Sequence, residues 1–496
     1  MPEADVQHSV LAALRSPRRL RTEVLAGLVV ALALIPEAIS FSILAGVDPR
    51  VGLFSSFVMA VSIAFLGGRP AMISAATGAI ALVIAPVARD HGLDYLLATV
   101  ILGGLIQVVL GVVGVARLMR FIPRSVMVGF VNALAILIFL AQVPHLVDVP
   151  WVVYPLVAIG IAIIVLLPKV TTVVPAPLVA IVVLTVVTVA FSVQVPQVRD
   201  EGALPDSLPA LLFPDVPLNV ETLRIIAPYA LAMALVGLLE SLMTAKLVDD
   251  VTDTHSNKTR EAWGQGTANV LSGFFGGMGG CAMIGQTMIN VKASGARTRI
   301  STFLAGVFLL VLVVGLGDVV GIIPMAALVA VMVIVSVATF DWHSIKPATL
   351  RRMPLSETVV MVLTVAVVVA THNLAYGVVV GVVAAMVLFA RRVAHLTTVT
   401  RLDSSDDDGE RVYAVSGELF FASSNDLVYQ FDYTGDPERV VIDLSDAHVW
   451  DASTVATLDA ITTKYAAKGK QATIIGLNED SARRHGRLAG QLGGGH

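Results

Sequence analysis

Apolar runs of membrane-spanning length recur from Val24 to about His395, and they constrain this chain more than any other feature. A helix rises about 1.5 Å per residue and needs about 20 apolar residues to cross a bilayer core. Of 496 residues, 56% are hydrophobic and 14% charged, against about 25% charged in soluble domains. Mean hydropathy is +0.83. The net charge of −4 gives no argument for a nucleic-acid partner. The single cysteine, Cys281, excludes an intrachain disulfide and a cysteine-based metal site, and reads as a small packing residue. Met1 to Arg21 is charged and lacks the apolar core and cleavage site of a signal peptide.

The apolar segments are 24–46, 51–66, 71–89, 94–115, 123–143, 152–168, 174–195, 225–246, 262–280, 283–294, 300–317, 321–340, 355–371 and 374–394. Arg15, Arg18, Arg19 and Arg21 precede the first and place the N-terminus in the cytoplasm. The same side then receives Arg69; Arg117, Arg120 and Arg124; Lys169; Lys246, Lys258 and Arg260; Lys292, Arg297 and Arg299; Lys346, Arg351 and Arg352; Arg391 and Arg392. Only Arg50, Arg89, Arg199 and Arg224 fall on the other side. Both termini are therefore expected in the cytoplasm. The proline- and acid-rich stretch from Pro196 to Arg224 divides the segments into equal halves of about seven, 20–195 and 225–395. An odd number per half inverts the second half, the inverted-repeat arrangement that suits alternating access. Ala71-Met72-Ile73 and Ala282-Met283-Ile284, opening the third segment of each half, read as a trace of that repeat.

Two segments are too short or too polar to span. One follows Pro70 and carries Ser74 and Thr77; the other follows Cys281 and carries Gln286, Thr287 and Asn290 before Lys292. Both read as half-helices preceded by irregular backbone. Free N–H groups and the positive dipole end of such helices attract anions without a fixed cation. The expected lining is Ser74, Ala75, Ala76 and Thr77 on one side and Gly285, Gln286 and Thr287 on the other, with Gly285 letting backbone approach the ligand. Two acids lie at membrane depth, Glu37 beside the helix-breaking Pro36, and Glu240. Such acids are costly unless paired, hydrated or protonated, and they mark ion or proton pathways. Asp249, Asp250, Asp253 and His255 read as a solvated turn, not a metal loop. Asn132 and Gln142 are expected to bond across helices. No Ser/His/Asp set, metal cluster or phosphate loop points to an enzyme.

Beyond Thr397 the pattern changes. An acidic linker spans Asp403–Glu410, within a connecting segment of 396–410. Strand-like runs follow at Val412–Val415, Glu418–Phe421, Val440–Leu444 and Ala472–Gly476, the last expected to be buried. A helix from Asp451 or Ser453 to about Lys468 lies between the last two. This order predicts a small α/β domain over 411–490, with residues from Gly490 onward unstructured.

The residues from Pro36-Glu37 through Phe41, Gly46, Pro49 and Gly52-Leu53-Phe54 are similar to the first-helix motif of the sulfate-permease-like (SulP) anion transporters. Glu240-Ser241, Asn257–Glu261, Gly266–Asn269, Gly276-Gly277, Thr287–Asn290 and Ser294–Thr298 extend that resemblance. It implies a helical membrane protein of core and gate domains, an anion site between the third and tenth segments, and a homodimer moving as an elevator. Phe41 joins the implied binding residues. The tail resembles a STAS domain, which implies cytoplasmic regulators and makes Ser453 a candidate phosphorylation site. Glu37 stands where the family usually has glutamine, and Gln286 where many members have arginine. That exchange favours proton-coupled uptake, with H+ as coupling ion and Glu37 as a coupling acid; Glu240 reads either as a second coupling acid or as a scaffold group that joins Glu37 in a polar core or caps backbone near the tenth segment. Fumarate or succinate in a bacterial inner membrane is the leading expectation. Anion exchange, or sodium-driven bicarbonate or sulfate transport, is the alternative.

Overall fold

The computed structural model describes residues 9–114, 122–171, 175–394, 396–402, 409–424 and 426–491. Arg117, Arg120, most of the acidic linker (403–408) and the last residues of the tail lie outside them. The chain forms two compact units dividing between Val382 and Val383.

The first unit is helical: α1 Pro17–Ala45, α2 Pro49–Leu66, α3 Gly78–His91, α4 Leu93–Val113, α5 Arg124–Leu140, α6 Val153–Leu166, α7 Ala176–Ala190, α8 Val220–Thr252 and α9 Lys258–Phe274. α10 Ile284–Met288 continues as a π-turn through Ala293, and α11 Arg299–Gly315, α12 Met325–Thr339 and α13 Leu355–Thr371 follow; α14 Leu374–Ala394 runs across the division between the units. Among the described residues, six helices are long and apolar enough to cross a membrane. α1 runs unbroken through Pro36, so the expected break there does not occur; the Ser40 hydroxyl donates to the Pro36 carbonyl at 2.8 Å.

The packing repeats when the halves are exchanged. α1 on α11 corresponds to α8 on α4, α2 on α11 to α9 on α4, and α5 on α13 to α12 on α6. Two helix groups result, one built from α1–α4 with α8–α11, the other containing α5–α7, α12 and α13.

Before α3 and α10 the backbone leaves helical form. β1 (Ser74–Ala75) and β2 (Cys281–Ala282) pair antiparallel, Ser74 opposite Ala282 and Ala75 opposite Cys281. Non-helical backbone at membrane depth must have every polar group satisfied by protein. Met283 N–H donates to the Ile73 carbonyl at 2.9 Å. Hydroxyls of Ser241, Ser56 and Thr287 accept from Ala282, Ala76 and Ile73 N–H at 3.1, 3.2 and 3.0 Å. The Asn269 side-chain oxygen accepts from Gly280 N–H at 2.8 Å, and the Asn290 amide donates to the Ala71 carbonyl at 2.8 Å. A methyl group on Gly280 would overlap the Ala75 carbonyl, so only glycine fits beside the ribbon. The ribbon also corrects the supposed repeat trace: Ala71-Met72-Ile73 precedes β1, whereas Ala282 lies within β2, so those letters are not equivalent positions.

Basic side chains from the α2–α3 connection and from the first turns of α9 and α11 gather near the end of α2. Arg260 donates to the Leu66 and Phe65 carbonyls and Arg299 to those of Ala64 and Gly67, capping α2. Asp249 accepts from Arg69 at 3.1 Å and Lys258 at 2.5 Å and is largely buried, so it belongs to an ionic knot and not to a solvated turn. The stretch after Pro196 also stays in the fold, with Gln197 bridging to Pro324 and Val198 buried. Gln142, two residues past α5, donates back to that helix at the Ile138 carbonyl, whereas Asn132 does reach another element, donating to Ser344 and accepting from Asp341 N–H beyond α12.

The second unit holds a four-stranded sheet, β3 Thr398–Leu402, β4 Glu410–Leu419, β5 Arg439–Val449 and β6 Gln471–Ile475. β3 pairs antiparallel to β4; β4, β5 and β6 run parallel. Part of the expected linker is therefore strand, and the two runs near 412 and 418 are one strand ending before Phe420. β6 is an edge strand, half exposed and not buried. α15 (Ala452–Ala466) packs Val455, Leu458, Ile461 and Tyr465 into the sheet core, and α16 (Glu479–Leu488) follows β6. Tyr413 and Tyr465 hydroxyls both donate to buried Asp436, at 2.9 and 2.6 Å. Burial and the neighbouring Asp436 push both phenols up, so they remain donors at neutral pH.

Glu23 offers a direct test of the helical unit. Its carboxylate accepts from Arg297, Thr298 and Ser301 N–H at 2.8, 3.0 and 3.2 Å, closing the first turn of α11. Glu23→Ala strands those donors, each costing about 1–3 kcal/mol when buried. Its melting temperature in detergent is expected to fall by several degrees; an unchanged value contradicts the capping role.

Candidate functional site

The antiparallel ribbon sets the geometry of the site. α3 and α10 leave it in opposite directions, so their N-termini lie close together and face one cavity of about 350 Å³. The first-turn N–H groups of each helix have no intrahelical partner; Gly78 and Ala79 supply them on α3, Ile284, Gly285 and Gln286 on α10, and all five residues line the cavity. Thr77 caps α3, its hydroxyl accepting from Ile80 N–H at 3.4 Å. A methyl group on Gly285 would meet nothing within 4 Å. Gly285 is thus an open floor of the cavity, clear of protein side chains.

Both acids face this space. The Gln286 amide donates to Glu37 Oε1 at 2.6 Å. Cys281 Sγ lies 2.7 Å from Glu240 Oε2 and 3.1 Å from Thr77 Oγ1, so it joins a polar chain and is more than packing. Glu37, Glu240, Phe41, Thr77, Gly285 and Gln286 all line the cavity, and among the described residues no lysine, arginine or histidine does.

Ser74, Ala75, Ala76 and Thr287 do not. Ser74 and Ala75 form β1, with the Ser74 hydroxyl accepting from the Gln265 amide at 2.6 Å. Ala76 is held by Ser56, and Thr287 turns to Ile73 on the ribbon's other side. These four residues build the ribbon. The opposite wall is mostly apolar, from Phe130, Leu134 and Ile138 on α5 and Val335 and Ala338 on α12, with the Thr339 hydroxyl its one polar side chain among the described residues. Sequence reasoning missed that wall because apolar residues in apolar helices carry no signal. Ser453 lies in the second unit, exposed in the first turn of α15; Asp451 takes the cap, accepting from Thr454 N–H at 2.9 Å. Among the described residues no acid, histidine and cysteine cluster could hold a metal.

The glycines give contrasting expectations. Gly285→Ala should leave expression and melting temperature at wild-type values, whereas Gly280→Ala should lower both; the reverse order contradicts the placement of the ribbon.

Comparison with known proteins agrees with this architecture. Residues 20–154 and 151–364 match the sulfate permease family, and 401–489 match the STAS domain. The Bacillus subtilis protein named "Putative sulfate transporter YbaR" is 55% identical over 93% of this chain and 95% of its own length. The transmembrane domain of a cyanobacterial bicarbonate transporter, BicA, superposes with a TM-score of 0.64 at 26% identity, covering 75% of this chain and 98% of that one. The murine anion transporter Slc26a9 shares the fold at a TM-score of 0.80 and 16% identity, over 94% and 87% of the two chains. The chain belongs to the sulfate permease family of membrane transport proteins and carries a C-terminal STAS domain.

Proposed function

We propose that this protein is a secondary active symporter carrying a small organic dicarboxylate, such as fumarate or succinate, together with protons. The observation that carries this reading is a cavity with two carboxyl groups, two half-helix N-termini and, among the described residues, no basic side chain. Each helix end offers about +0.5 of a charge. A dianion beside two carboxylates exceeds that, so it needs accompanying cations. Protons on Glu37 and Glu240 remove the repulsion and turn the carboxyls into donors. The apolar wall from α5 and α12 favours an anion with a carbon skeleton over a fully hydrated oxyanion.

The cavity lies between the two helix groups, which supports elevator-type movement of one against the other. A homodimer in a bacterial inner membrane, both termini cytoplasmic and the STAS domain contacting cytoplasmic regulators, completes the reading. Exposed Ser453 is accessible to a kinase. The 55%-identical relative named for sulfate supports a second reading, an inorganic oxyanion on the same scaffold driven by exchange or sodium.

Uptake of a panel of labelled anions into proteoliposomes separates the two. With an inward proton gradient and no sodium, succinate or fumarate should accumulate above equilibrium. Glu37→Gln should abolish accumulation while retaining succinate exchange. Sulfate or bicarbonate accumulation without dicarboxylate uptake selects the second reading, and a Glu37→Gln protein that still concentrates succinate removes Glu37 from coupling. Gly285→Trp fills the cavity and should reduce uptake to background; wild-type uptake refutes the site.

A further inference from the structure

A second cavity, of about 740 Å³, lies farther along two helices that also bound the first. Both are bounded by α3 and α8. On α3 the first cavity uses residues up to Ala79 and the second begins at Leu82; on α8 the first uses Glu240 and the second ends at Leu235. At about 1.5 Å per residue, these steps are roughly 5 and 8 Å. Ile80 and Val236, in the interval between the two linings, are almost fully buried. The remaining wall of the second cavity comes from the α13–α14 turn, around His372 and Tyr376.

The chemistry of the two spaces is opposite. The second cavity contains Arg224, His91, His372, Tyr229 and Tyr376, and among the described residues no aspartate or glutamate lines it. The acids nearest in sequence, Asp90, Asp94 and Glu221, are not part of its wall. Arg224 is exposed and makes no ion pair with the described residues. It also stands among the few basic residues that the charge pattern puts on the non-cytoplasmic face. A lone guanidinium in a concave, partly apolar cleft raises the local anion concentration.

We propose that this cleft is the opposite mouth of the transport path, where Arg224 collects the anion before it reaches the Glu37–Glu240 cavity. The proposal rests on the transport reading above, but its charge-selective part is testable without any transported substrate. The native cysteine is buried, so a Tyr376→Cys protein presents one reactive thiol in the cleft. In phosphatidylcholine proteoliposomes, an anionic methanethiosulfonate reagent (MTSES) should modify it several-fold faster than its cationic counterpart (MTSET). Adding Arg224→Gln should erase that preference. Thr371→Cys, on the same cavity, supplies a second reporter should Tyr376→Cys fail to fold. Modification of either thiol should block succinate entry from that face, and Arg224→Gln alone should raise KM several-fold with kcat little changed.

Equal reagent rates, or a preference that survives Arg224→Gln, overturn the capture role. Charge-selective labelling with uninhibited succinate entry overturns the continuity of the path. Labelling suppressed by added phosphatidylglycerol assigns the cleft to lipid headgroups and overturns the proposal. If succinate is not carried at all, the substrate reading fails while the reagent preference still decides the role of Arg224.

Discussion

The pairing of β1 with β2 is the constraint on which the helical unit depends. Two residues on each side hold irregular backbone together at membrane depth. Water is absent there, so unpaired N–H and C=O groups are costly. The sequence meets that cost with serine, threonine, asparagine and glutamine placed in α2, α8, α9 and α10, whose side chains turn to the ribbon. These polar residues look like a scattered minority in an apolar chain. In three dimensions they form the lining of one backbone crossing.

From this pairing the site follows. Antiparallel strands send α3 and α10 in opposite directions, and their free N–H groups face the same space. Thr77 serves twice, capping α3 and contacting Cys281, which in turn contacts Glu240. Gln286 ties Glu37 to α10 in the same way. Each carboxyl is thus joined to the machinery of a half-helix. Changing the charge on either acid alters the field at the helix ends directly, a short physical route from protonation to anion affinity.

Much of this was legible in the chain. Segment lengths located the short helices, and the rarity of acids at membrane depth singled out Glu37 and Glu240, which do share a cavity. What failed to show were directions. Ser74, Ala75, Ala76 and Thr287 have the right chemistry for ligand contact, but a two-residue strand and the turn of a short helix point them at the ribbon. Pro36 signalled a break that α1 does not make. Ser453 and Asp451 were interchangeable as caps until the helix start fixed Asp451. The apolar wall on α5 and α12 was invisible because its residues are ordinary for any membrane helix.

The most direct test follows protons, not variants. Proteoliposomes holding wild-type protein and a lumenal pH dye, in sodium-free buffer with no imposed pH gradient, receive external succinate. Coupled movement predicts that the lumen acidifies as succinate enters, in proportion to the amount taken up. Succinate entry with no pH change would contradict the pairing of anion and proton at the two carboxyls.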